Sequence, residues 1–196
     1  MLPLSFYRRK DVAVIARELL GKALFTCIDG KKTGGIITET EAYRGVEDKA
    51  CHAYKGRRTA RTEVMFHNGG VAYVYLCYGV HYLLNVVTHG PDVPHAVLIR
   101  ALYPLEGEKW MALRRGKAAG DPTLTRGPGA LTQALGITGA CNGRPFNSES
   151  LWIEDRGLQI SDVSLTPRIG VDYAEEDALL PLRFLALQIP RQNRYN

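Results

Sequence analysis

The chain of 196 residues has no apolar run long enough to cross a bilayer, which excludes a helical membrane anchor in the sequence given. Its four cysteines, Cys27, Cys51, Cys77 and Cys141, are scattered, with no CxxC pair. That spacing excludes a disulfide framework and a zinc knuckle, and it predicts reduced thiols in a cytoplasmic protein. The opening residues Met1 to Lys10 lack the order of a secretory signal, because their charges follow the short apolar run rather than precede it. Internal repeats and low-complexity segments are also missing, which argues against a solenoid or a disordered linker.

What is present reads as one domain over 1–196, with a hydrophobic fraction of 45% and a charged fraction of 23%. The formal charge of +5 favours a polyanionic partner without requiring one. The organising stretch is Ile36 to Tyr43, whose β-branched residues predict a strand. Alternation then sets Ile37, Glu39, Glu41 and Tyr43 on one face. Two carboxylates beside an aromatic suit water activation next to a planar ligand, although by itself the segment also fits a solvated edge strand.

Around it, Asp11 to Gly21 reads as a helix capped by Asp11 and closed by Gly21. Lys22 to Ile28 reads as a strand that turns back at Asp29-Gly30. Arg44 to Asn68 is a long polar loop, a functional candidate that carries His52, Arg57, Arg58 and Arg61. Val71 to Tyr78 and Tyr82 to Thr88 form a predicted hairpin in which Tyr73 and Tyr75 share a face and Tyr78 sits by the turn. An aromatic at a hairpin tip is poorly placed for a core and suits a wedge or an anchor. Asn85 is polar among apolar neighbours and needs amide partners if it faces inward. Ala96 to Leu102 reads as a buried strand interrupted by Arg100, whose guanidinium needs an anion, either Glu41 or a phosphate. Leu105 to Arg115 and the stretch from Gly127 to Gly136 read as helices. Leu151 to Ile153, Leu158 to Ile160 and Leu182 to Gln188 read as strands, and Arg191 to Asn196 as a loose polar tail.

Taken in order, Glu39-Thr-Glu-Ala-Tyr43, Glu47-Asp48, His52, Arg57 to Arg61, Met65-Phe66, Tyr73-Val-Tyr-Leu-Cys-Tyr-Gly79, Asn85-Val86, Leu98-Ile-Arg-Ala101 and Pro104-Leu-Glu106 form one set. Gly127-Pro128, Gln133-Ala-Leu135, Arg168-Ile-Gly-Val171 and Pro181-Leu-Arg-Phe184 continue it. The set resembles the alkyladenine (3-methyladenine) DNA glycosylase family over nearly the whole chain. The resemblance implies an α+β domain around a curved antiparallel sheet, with packed helices and a protruding β-hairpin. It implies a monofunctional glycosylase that flips 3-methyladenine, 7-methylguanine, hypoxanthine or ethenoadenine out of duplex DNA and cleaves the N-glycosidic bond. It further implies a monomer with no cofactor, no metal and no membrane partner, of bacterial type and nucleoid-associated when acting.

Carried over by position, Glu41 is the water-activating base and Arg100 helps hold the water and a nearby phosphate. Tyr43 and Tyr75 stack on the base, His52 lines the slot and offers a hydrogen bond, and Asn85 discriminates against normal guanine. Tyr78 fills the hole left in the duplex, and the Ile169 carbonyl contacts the water. Two positions depart from the family pattern: Cys51 before His52, and Val80 after Gly79. Two rival readings are a non-catalytic nucleic-acid binder and a hydrolase with a metal held by His52, His67, His81 and carboxylates. A third is a small-substrate enzyme of related fold.

Overall fold

The β-branched run forms a strand, but the strand begins before the run does. In the computed structural model, which describes residues 1–189, β2 spans Lys31–Tyr43. Gly34 and Gly35 lie inside it. A Cβ at Gly34 would sit 2.1 Å from a ring carbon of Phe25, and one at Gly35 would sit 2.2 Å from the Tyr103 carbonyl oxygen. The two glycines mark close approach of neighbouring strands, whereas propensity alone reads them as a boundary.

β2 changes neighbours along its length. β1 (Ala23–Ile28) pairs with Lys31 to Ile36, while β8 (Arg183–Ala186) pairs with Glu39 to Glu41. On the other edge β5 (His95–Glu106) follows it from Gly34 to Tyr43. The register slips around Thr38, where Ile37 faces Leu102 and Glu39 faces Ala101. One extra residue reverses the alternation of everything that follows. Ile37 and Ala42 therefore join the main core, and the Thr40 hydroxyl donates to the Ala16 carbonyl at 2.8 Å. Glu39, Glu41 and Tyr43 turn to the opposite face. The expectation that Ile37 shares the face of the two glutamates is corrected by this bulge.

The remaining strands are β3 (Ala72–Cys77), β4 (His81–Thr88), β6 (Leu151–Glu154) and β7 (Val163–Thr166). Among the described residues they complete an open, eight-stranded antiparallel sheet in the order β3-β4-β5-β2-β1-β6, with β8 on β2 and β7 on β8. The helices are α1 (Leu4–Tyr7), α2 (Val12–Leu19), α3 (Glu108–Arg115) and α4 (Pro128–Leu135), which makes the fold α+β as expected. Asp11 caps α2 by accepting the N–H groups of Ala13 and Val14. The apolar sides of α2 and α4 supply Ile15, Leu19, Leu131 and Leu135 to a core shared with Leu84, Val97 and Ile99 of the sheet.

Three further expectations need correction. Leu158 to Ile160 is not a strand: it follows the turn at Gly157 and packs over Phe25 and Ala23 without a ladder partner. The strand of that region is β7. Leu105 and Glu106 belong to β5, and α3 begins only at Glu108, after Gly107 takes φ +75°. The final strand ends at Ala186 rather than at Gln188. The tail read from Arg191 to Asn196 lies outside the described residues. Between β2 and β3 the long segment winds through three 3₁₀ turns, at Gly45–Glu47, Tyr54–Gly56 and Glu63–Phe66.

Candidate active site

The face of β2 that carries Glu39, Glu41 and Tyr43 lies under a cleft of about 530 Å³. Glu41 is fully buried and sits one layer below the cleft, behind Tyr43, Arg100 and Ile169, which line it. Its Oε1 accepts the Ile169 N–H at 2.9 Å and lies 3.3 Å from Arg100 Nη1. Its Oε2 accepts the Tyr43 hydroxyl at 2.9 Å. Burial, and then the adjacent Glu41 carboxylate, hold the Tyr43 phenol well above its ordinary pKa, so it stays a donor. The Ile169 N–H and the Tyr43 hydroxyl take one acceptor position on each oxygen; the rest of Oε1 faces the Arg100 guanidinium, and Oε2 keeps one free acceptor position.

Arg100 answers the need for an anion with two. Its Nε donates to Glu39 Oε1 at 2.8 Å, and the same oxygen accepts Arg183 Nε at 2.7 Å. Glu39 thus turns the Arg100 guanidinium so that Nη1 reaches Glu41.

The cleft walls are aromatic. Tyr43, His52, Tyr73 and Tyr75 all line the cleft. The His52 ring meets Tyr75 edge-on with centroids 4.7 Å apart, and Tyr75 stacks beside Tyr73 at 5.4 Å. His52 Nδ1 lies 2.9 Å from the Tyr73 hydroxyl. Burial, reinforced by Arg61 and Arg57, pushes the His52 pKa down to about 4, so the imidazole is neutral at pH 7. Burial pushes Tyr73 up to about 12 and raises Tyr75 as well. The Arg61 guanidinium lies 4.8 Å from the Tyr75 ring centroid. The buried Cys51 thiol, pushed up to about 12 by burial, is inert lining. Asn85 on β4 is inward-facing, donates to the Tyr73 carbonyl at 3.2 Å and lines the same cleft.

Tyr78 projects from the rim. It occupies the turn between β3 and β4 with φ +50°, followed by Gly79 at +70°, and is 96% exposed. Positive φ at both positions, closed by the Val80 N–H to the Cys77 carbonyl at 3.0 Å, is the geometry of a primed hairpin turn. Leu76 and Val80 are exposed beside it.

Seven of the eight positions named from the sequence line one cleft, namely Arg100, Tyr43, His52, Tyr75, Asn85, Ile169 and Tyr78, and the eighth, Glu41, lies beneath it against Arg100. Ile169 contributes its backbone N–H to Glu41. Glu39 and Arg183 escaped attention as partners of Arg100. Glu39 had a signal, since it stands two residues before Glu41 on one strand face. Arg183 had none.

Among the described residues, no three His, Cys, Asp or Glu side chains converge as a metal site, and no helix is long and apolar enough to cross a membrane.

The model of the methylpurine-DNA glycosylase (MPG) family matches residues 5–190. A protein of Chlamydia abortus with the provisional name 3-methyladenine DNA glycosylase is 50% identical over 186 residues, covering 94% of this chain and 97% of that protein. A protein of Methanocella arvoryzae with the same provisional name is 49% identical, covering 94% and 91%. One of Desulfitobacterium hafniense, also so named, is 45% identical, covering 92% of each.

Proposed function

The chain belongs to the methylpurine-DNA glycosylase family, and on that premise we propose that it excises alkylated or deaminated purines from duplex DNA through water activated by Glu41. The observation that carries this reading is the buried Glu41 carboxylate, held by the Ile169 N–H, the Tyr43 hydroxyl and Arg100 beneath an aromatic-walled cleft.

A base inside a duplex is out of reach, so it is swung out at a cost of a few kcal/mol. Tyr78, at the exposed hairpin tip, fills the gap it leaves. The purine enters between Tyr43 on one side and His52 and Tyr75 on the other, each stacking contact contributing about 1–3 kcal/mol. Asn85 presents its amide to the base edge and disfavours the exocyclic amine of guanine. Glu41 takes the proton of water as the glycosidic bond breaks, and its charge stabilises the oxocarbenium-like sugar. Arg100 orients that carboxylate and pairs with the nearby phosphate.

Cationic 3-methyladenine and 7-methylguanine leave unaided. Neutral hypoxanthine and ethenoadenine need a proton on the base. With His52 neutral at pH 7, water is the proton source for that step. No lysine is among the residues lining the cleft, so water rather than an amine is the nucleophile and the enzyme is monofunctional. The protein acts on duplex DNA as a monomer built of one domain, without a cofactor.

The test is base release from duplexes carrying hypoxanthine, ethenoadenine, 7-methylguanine or 3-methyladenine. Glu41→Gln is expected to slow release by about 100-fold or more with duplex affinity kept or raised. Equal release by both proteins would overturn the reading, and it would favour a binder that needs no carboxylate. Borohydride is expected to trap no covalent adduct.

A further inference from the structure

Arg168 is fully buried and is not among the residues lining the cleft, yet it touches the supports of Glu41 from behind. Its Nη1 donates to Asp48 Oδ2 at 2.5 Å and its Nη2 to Asp48 Oδ1 at 2.9 Å, a bidentate pair with both side chains at zero exposure. The same two nitrogens donate to the Ala42 carbonyl at 3.0 Å and the Asp177 carbonyl at 3.1 Å. The guanidinium carbon lies 4.8 Å from the Tyr43 ring centroid. The next residue in the chain is Ile169, whose N–H holds Glu41. Asp48 in turn accepts the N–H groups of Arg44 and Ala50 at 3.0 Å.

One planar group thus joins the end of β2, the turn after it and the segment around Asp177. Burial works most strongly against the charge on each partner, but their mutual hydrogen bonds, the charge attraction and, for Asp48, the backbone N–H groups of Arg44 and Ala50 together outweigh it: Asp48 is held below the usual carboxylate range and Arg168 above its ordinary value. A buried ion pair adds little net stability over an apolar pair of the same volume, because desolvation offsets attraction. What it supplies is direction, since the fork fixes two bonds at once.

We propose that Arg168, clasped to Asp48, is a positioning residue that fixes the Ile169 N–H and the Tyr43 ring relative to Glu41. The role in turnover rests on the glycosylase reading above, while the clasp itself does not. Arg168 touches neither base nor water. It acts on the rate by keeping the Ile169 N–H on Glu41 and the stacking ring of Tyr43 in place, and a misplacement of about 1 Å costs on the order of 100-fold. Lysine keeps the charge but not the fork, so it is not expected to substitute.

The experiment uses Arg168→Lys, with Asp48→Asn as a second variant that keeps the shape and removes the charge. Amide hydrogen exchange at Ile169 is expected to accelerate about tenfold or more, while the sheet amide of Leu84 keeps its protection. Single-turnover base release per folded molecule is expected to fall about 10- to 100-fold, with affinity for a duplex bearing an abasic analogue within about twofold. Quenching of ethenoadenine fluorescence, which reports stacking on Tyr43, is expected to weaken. A merely structural residue would move Ile169 and Leu84 together and leave the rate per folded molecule unchanged, and that result overturns the proposal. So does wild-type exchange at Ile169 in both variants. If Glu41→Gln turns over like wild type, the glycosylase reading fails instead, and Ile169 exchange still decides the clasp.

Discussion

The Tyr43 hydroxyl donates to Glu41 Oε2 at 2.9 Å, and it does so from the cleft side of a carboxylate that is otherwise fully covered. The bond orients Glu41, but it also takes one of the two acceptor positions on the oxygen best placed to receive a proton from water. Tyr43→Phe keeps the stacking ring and opens that position. Single-turnover base release is expected to hold or rise, by about twofold or more. Tyr43→Ala removes the ring and is expected to lose about 10- to 100-fold, in line with one stacking contact of about 1–3 kcal/mol. Equal losses in Phe and Ala would show that the hydroxyl, not the ring, matters.

Glu39 is the second carboxylate, and its work is different. One oxygen receives both Arg100 and Arg183, and all three side chains are at most 19% exposed. Glu39→Gln leaves two guanidinium groups on a neutral acceptor. It is expected to cost about 2 kcal/mol in urea unfolding, since hydrogen bonds between charged groups are worth roughly that much. Turnover should fall about tenfold as Arg100 loses its orientation. Stability lost with turnover intact would reduce Glu39 to scaffold.

At the hairpin tip, Tyr78 holds φ +50° with its side chain 96% exposed. That backbone region costs a non-glycine residue about 1 kcal/mol or more, and no packing repays it in the free protein. Tyr78→Gly relieves the strain but loosens the unfolded chain. Thermal stability is therefore expected to stay level or rise by up to about 1 kcal/mol. Excision from duplex DNA is expected to fall about tenfold, with little loss on a single strand, where no gap needs filling. A variant that is destabilised, or one equally slow on both substrates, would remove the wedge.

How much of this was legible in the sequence depends on the kind of signal. The hairpin, the capped helix α2 and the strand of Glu41 follow from alternation and turn chemistry, which act locally. The reversal of faces at Thr38 does not, because a bulge arises where β2 exchanges β1 for β8, a contact between distant segments. The extension of β2 back through Gly34 and Gly35 is hidden for a related reason, since what makes these glycines necessary is the approach of Phe25 and Tyr103 across the sheet. Arg100 announced its need for an anion, but nothing in the chain said that Glu39 would share it with Arg183, 144 positions away. Arg168 and Asp48 entered only within motifs, since a buried pair is recognisable only once both ends are seen to be buried.

His52 gives a prediction whose sign is fixed by its surroundings. Its pKa falls from 6.5 to about 4 in the folded protein, first through burial and then through Arg61 and Arg57. Between those values the unfolded chain binds more protons than the folded one, so stability rises with pH. The contribution is complete above about pH 6.5 and is lost progressively as pH falls toward 4, up to about 3 kcal/mol in all. The melting temperature is expected to fall over that window in wild type and to fall less in His52→Gln. The His52 ring proton, followed by NMR, should titrate with a midpoint near the folded value. Base release between pH 6 and 8 should show no step from this ring, because an imidazole that is already neutral has no proton to lose there. A midpoint near 6.5 would mean that the ring is solvated and that the wall of the slot carries charge at working pH. Release of hypoxanthine would then slow as pH rises through that midpoint, making His52 rather than water the acid for neutral purines.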